Sequence, residues 1–110
     1  MSGGFGDREK AFESKFAHDE ELKFRIVNRR NRLLGLWAAE QMGMPGADAE
    51  TYAKTVVQAD FIEPGHEDVV RKIQKDFQAK NVARSDHAIR VKMEELLAIA
   101  TDQIQNEKGK

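Results

Sequence analysis

The sequence predicts an all-α protein: a four-helix bundle-like domain carrying a partly disordered helical arm at its N-terminus. Three observations predict it. Apolar residues recur at three- and four-residue spacings and never alternate in strand-like runs. Both prolines, Pro45 and Pro64, fall beside glycines at breaks between the periodic segments. Residues 7–21 are charged helix formers in which Phe12 and Phe16 are the only large apolar side chains.

The first helix reads from Asp7 to Met42. From Leu22 it places Leu22, Ile26, Leu33 and Trp37 on one face, widened by Val27, Leu34 and Ala38. Gly35 interrupts this stretch at a cost of about 1 kcal/mol, which a closely packed neighbouring helix would explain. Gly43-Met44-Pro45-Gly46 ends the helix. The second helix opens at Asp48 as N-cap and runs to about Phe61, with Ala49, Tyr52, Val56 and Ala59 on one side and Ala53 and Val57 adjacent. The third starts near His66, has Glu67 and Asp68 at the positive end of its dipole, and buries Val69, Val70, Ile73 and Phe77. The fourth opens at Ser85, a good N-cap residue, and carries the stripe Ile89, Met93, Leu96, Leu97, Ala100 and Ile104. Connections of a few residues imply mostly antiparallel neighbours. The chain divides into a flexible N-terminal arm over 1–21, a four-helix domain over 22–106 and a loose tail over 107–110.

The arm is poorly able to hold itself down. Burying a Phe is worth roughly 1.5–3 kcal/mol, so Phe5, Phe12 and Phe16 together offer at most about 9. Ordering some fifteen residues costs about 15–30 kcal/mol in backbone entropy. Helices of this length are marginal alone. The arm should fray when free, and its phenylalanines must either fold back on the bundle or enter another protein's groove, where the arm orders fully.

Composition narrows the function. With 110 residues, 40% hydrophobic and 34% charged, the chain supports one modest core under a heavily solvated surface. It contains no cysteine, which excludes disulfides and thiolate chemistry and suits a reducing compartment. A net charge of -1 gives no global pull toward nucleic acid or anionic lipid. No spanning apolar run or secretory signal is present, so a cytoplasmic protein is expected. His18, His66 and His87 lie far apart with no second ligand at metal spacing. Gly3-Gly4-Phe5-Gly6 is too short and too far from any strand to cradle phosphate. The chain reads as a non-enzyme with no cofactor.

One charge feature stands out. Lys23, Arg25, Arg29, Arg30 and Arg32 put +5 on residues 23–32, whereas residues 7–21 sum to -3. Three readings compete: a polarised helix that docks in one orientation on a partner through Arg25, Arg29, Arg30 and Arg32; a nucleic-acid or adaptor module using the same cations; and a solvated side with local ion pairs such as Glu21 with Arg25.

The blocks Asp7-Arg8-Glu9-Lys10-Ala11-Phe12-Glu13, Lys15-Phe16-Ala17-His18-Asp19-Glu20-Glu21-Leu22 and Arg29-Arg30-Asn31-Arg32-Leu33-Leu34-Gly35-Leu36-Trp37-Ala38-Ala39-Glu40 resemble the ATP synthase inhibitor zeta subunits of α-proteobacteria. The likeness continues through Tyr52-Ala53, Ala59-Asp60 and Gly65-His66-Glu67-Asp68-Val69. Gly6 departs from it, standing where the family commonly has an acidic residue, which loosens the arm's tip. The resemblance implies a four-helix fold whose N-terminal segment blocks ATP hydrolysis by inserting at a catalytic α/β interface of the ATP synthase and reaching toward its γ subunit. Phe5, Phe12 and Phe16 would then be anchors, and Arg8, Glu9, Lys10, Glu13 and Lys15 would set register. The partners implied are the α, β and γ subunits, with no nucleic acid and no membrane insertion. The protein would be monomeric when free and peripheral to the inner membrane through its target.

Overall fold

The computed structural model describes the backbone of residues 2–62 and 66–108, and the side chains of residues 20–60 and 67–107. It contains four helices, α1 (Ser2–Gln41), α2 (Gly46–Ile62), α3 (His66–Ala79) and α4 (Asp86–Lys108), and no strand among the described residues. The predicted fold class holds. α1 is uninterrupted for 40 residues, so no break in the backbone marks the arm from the domain.

The helix ends follow from local chemistry. Gly43 adopts a left-handed φ of 72°. This lets the Met44 amide donate back to the Ala39 carbonyl at 2.9 Å and the Gly43 amide to Glu40 at 3.0 Å, which closes α1 in a Schellman motif. α3 ends the same way at Asn81, whose φ is 59°, with the Val82 amide donating to Phe77 at 2.8 Å. Ser85 caps α4 as expected, its Oγ accepting from the Ala88 amide at 3.1 Å. The start of α2 differs from expectation. The Pro45 carbonyl accepts the first helical bond, from Ala49 at 2.8 Å, so the cap falls on Pro45 and Asp48 lies inside the first turn. There its charge favours the helix dipole instead of capping an amide. α4 also runs further than the polar tail suggested, taking in Glu107 and Lys108.

α1 is the central element, packed chiefly on α2 and α4, and α3 closes the far side. Leu34, Val56, Val69, Ile73, Phe77 and Ile89 are fully buried and form the heart of the core. Trp37 meets Phe77 edge-on, with ring centroids 5.8 Å apart and planes at 66°. The fully buried face of α1 is Asn31, Leu34, Gly35, Ala38 and Ala39, with Arg30 beside it. It is turned from the expected Leu22, Ile26, Leu33 and Trp37 face, whose members are only half-buried. Small side chains are what select it. A Cβ built on Gly35 would lie 2.6 Å from the Ala53 Cα, so the two backbones touch there. On α4, Ile89, Met93, Ala100 and Ile104 are buried as expected, whereas Leu97 is 37% exposed.

Tyr52 ties α2 to α3. Its hydroxyl donates to Asp76 Oδ2 at 2.7 Å, and Lys72 Nζ lies 2.8 Å from the same oxygen and 4.9 Å from the Tyr52 ring centroid. Burial, then the bond to Asp76, push the phenol's pKa up from its ordinary value.

Two outcomes follow. Gly35→Ala gains about 1 kcal/mol of helix propensity but overpacks against a backbone, and a net loss of about 1–2 kcal/mol is expected in urea unfolding. Tyr52 keeps its proton in the folded chain to higher pH than in the unfolded one. Its contribution is therefore fully present below about pH 10 and is lost as pH rises beyond it. Tyr52→Phe should be about 1 kcal/mol less stable at pH 7 and should decline less steeply than the parent in stability measured from pH 9 to 12.

Candidate functional site

The site is the place where α1 outruns the helices that flank it. Both neighbours run antiparallel to α1. Along α2 the pairing is Gly35 with Ala53 and Asn31 with Asp60, close to where α2 ends at Ile62. Along α4, Gln41 meets Arg84 just before the helix, Trp37 meets Lys92, and Arg29 and Arg25 meet Glu107, one residue before α4 ends. The N-terminal portion of α1 therefore continues as helix over residues 2–24, beyond the level of the last α4 partner, about 35 Å at 1.5 Å per residue.

Polar residues crowd this exit. Asn31 is fully buried and Arg30 is 2% exposed. Arg30 Nε and Nη2 donate to Asn31 Oδ1 at 3.1 and 2.8 Å, while Asn31 Nδ2 donates across to Asp60 Oδ2 at 3.0 Å. Burial lowers the Arg30 pKa, and the nearby Asp60 charge opposes that shift. Among the described residues no buried side-chain nitrogen or oxygen lacks a partner. The network is thus complete, which is the condition under which buried polar groups can be tolerated.

Each cation of the 23–32 stretch can now be placed. Arg29 donates to Gln103 Oε1 at 2.9 Å and to Glu107 Oε1 at 2.7 Å. Arg25 lies 3.9 Å from the same carboxylate, so its partner is on α4 and not the expected Glu21. Arg32 forks onto both oxygens of Glu50, at 2.9 and 3.0 Å. Arg30 belongs to the core. Arg25 and Arg32 keep about half of their side chains exposed, at 47% and 48%, and Lys23 is exposed as well. Glu50, Asp60 and Glu107 thus offset three of the stretch's five positive charges, which leaves less net charge for phosphate contacts than the sequence suggested. Phe5, Arg8, Glu9, Lys10, Phe12, Glu13, Lys15 and Phe16 have side chains outside the described residues.

Two clefts open on the surface. One of about 460 Å³ is lined by Arg29, Arg32, Leu33, Gln103, Asn106 and Glu107. The other, about 350 Å³, lies between Arg30, Glu67, Arg90, Met93, Glu94 and Leu97, with Arg90 forked onto Glu67. No group of three His, Asp or Glu placed to hold a metal occurs among the described residues, and none of the described helices is long and apolar enough to cross a membrane. What the arrangement offers is a helix held along its C-terminal half by α2 and α4.

Sequence reasoning missed the Arg30–Asn31–Asp60 network. The signal was available: Asn31 stands three and seven residues before Leu34 and Ala38, so it shares their face. The network and the surface pairs should separate on mutation. Asn31→Ala removes an acceptor from Arg30 and the buried donor to Asp60, and is expected to cost about 2–4 kcal/mol. Arg32→Ala opens only an exposed pair with Glu50 and should cost less than about 1 kcal/mol in the same denaturation assay.

The chain's likeness to known proteins agrees with this architecture. Residues 1–103 match the family described as ATPase inhibitor subunit zeta. Among solved structures, a protein determined by solution NMR is 45% identical, with a TM-score of 0.69 over 78% of this chain and 98% of that one. Comparison with curated proteins gives no match. The family match takes in both the four-helix domain and the whole leading half of α1, so the chain belongs to the ATPase inhibitor subunit zeta family.

Proposed function

We propose that this chain inhibits ATP hydrolysis by the ATP synthase catalytic head by inserting the N-terminal part of α1, residues 1–21, at a catalytic α/β interface and toward the γ subunit. Membership of an ATPase inhibitor family makes the chain a regulator in kind. The observation that carries the finer reading is the overhang of α1, a helix that continues past the ends of both its neighbours. A helix that extends past its neighbours in the bundle can offer its apolar residues to the groove of another protein.

In this reading Phe5, Phe12 and Phe16 anchor the helix in the cleft, and Arg8, Glu9, Lys10, Glu13 and Lys15 fix its register. A wedge of this kind acts by binding one conformational state of its host better than the others. It would oppose the rotation that hydrolysis drives and spare synthesis. Arg25 and Arg32, half exposed beside the exit, supply a second contact with the rim of the cleft. The free inhibitor is monomeric and cytoplasmic, and it reaches the inner membrane only through its target.

Every described fully buried residue lies at or beyond Arg30, so removing residues 1–19 should leave the bundle folded. The truncated protein is expected to melt cooperatively and to lose inhibition when titrated into its own ATP synthase. Undiminished inhibition would overturn the assignment of the arm. The full-length double variant Phe12→Ala, Phe16→Ala should raise the half-inhibitory concentration by at least about 30-fold with the bundle's melting unchanged.

A further inference from the structure

We propose that the clasp joining Arg25 and Arg29 to Gln103 and Glu107 is a latch that sets how much of α1 can part from the bundle, with the Asn31–Asp60 bond as the next, firm stop. The two fastenings differ in kind. The clasp is made of partly exposed groups, with Arg29 27% and Glu107 47% exposed, and it borders an open cleft of about 460 Å³. Exposed pairs of this type hold weakly and are screened by salt. Glu107 also sits in the last turn of α4, where a negative charge opposes the helix dipole and the backbone tends to fray. Its position depends on the two arginines.

Beneath the clasp α1 has little to hold it. Leu22, Ile26 and Val27 are half-buried, and no described residue of α1 before Arg30 is fully buried. At Arg30 and Asn31 the situation changes within one turn. Parting α1 further would break the Asn31–Asp60 bond and begin to lift the fully buried Leu34, one turn on, out of the core. Separation therefore has two resting points, one near Arg25 with the clasp closed and one near Asn31 with it open. The six residues between them correspond to about 9 Å of helix. On the inhibitory reading above, opening the latch lengthens the part of α1 that can engage the host.

Amide hydrogen exchange on the full chain tests the latch without the ATP synthase, and so independently of that reading. In Gln103→Ala, Glu107→Ala the amides of residues 22–29 should exchange about fivefold faster, with those of 34–39 unchanged. The charge-reversed pair Arg29→Glu, Glu107→Arg should restore protection. Unchanged exchange over 22–29, or an equal rise through 34–39, would overturn the latch. Its functional consequence has a separate measurement. The native chain has no cysteine, so Arg29→Cys, Glu107→Cys can be bridged by a short bifunctional thiol reagent that holds the clasp closed. Relative to the same variant unbridged, the bridged protein should need about fivefold more for half-inhibition of hydrolysis. Equal potency would overturn the role of opening, while failure of both forms and of the parent to inhibit would count against the inhibitory reading alone.

Discussion

The close approach of α1 and α2 at Gly35 sets the rest of the structure. With no side chain at Gly35 and only a methyl at Ala53, the helices meet backbone to backbone. That contact fixes their register, and the register determines which residues face each other along the pair. Four residues toward the N-terminus of α1, Asn31 comes opposite Asp60. Toward the other end, Ala38 and Ala39 are buried and the Gly43 turn brings Met44 back onto the core. Leu34 is driven into the centre among Val56, Ile73 and Phe77 because the interface beside it leaves no room for bulk.

The register gives the polar network its meaning. A buried arginine and asparagine are poor sources of stability, since their desolvation offsets most of what their bonds return. They are good at rejecting alternatives. A one-residue slip of α1 would strand Asn31 away from Asp60 and carry Arg30 against apolar neighbours. The bundle is thereby held to one arrangement at the level where α1 begins to run free.

Much of this was legible in the residues. The element order, the capping Ser85, the stop at Gly43 and the apolar faces of α3 and α4 follow from local rules that the tertiary structure does not override. The stripe on α1 was read in part: Leu34 and Ala38, expected at its edge, are fully buried, but hydrophobicity alone favours Leu33 and Trp37 over the small Gly35 and Ala39 that packing selects. Likewise, a run of five cations looked like a surface patch because sequence shows charges without their partners. Glu50, Asp60 and Glu107, the acids that neutralise three of them, lie 18 to 78 positions away. Long-range pairing of this kind becomes visible only when the helices are assembled. The Asn81 turn, by contrast, could have been foreseen, as asparagine tolerates the left-handed backbone better than most residues.

The antiparallel course of α4 carries one more consequence. Its C-terminal turn flanks α1 at Arg25 and so stands as a shoulder around the emerging helix. A rod passing into a narrow host can advance only until its shoulder meets the rim. With the clasp closed, the stretch ahead of that shoulder is about 35 Å of helix, so on the insertion proposed above the bundle would be a gauge of penetration depth as well as a handle.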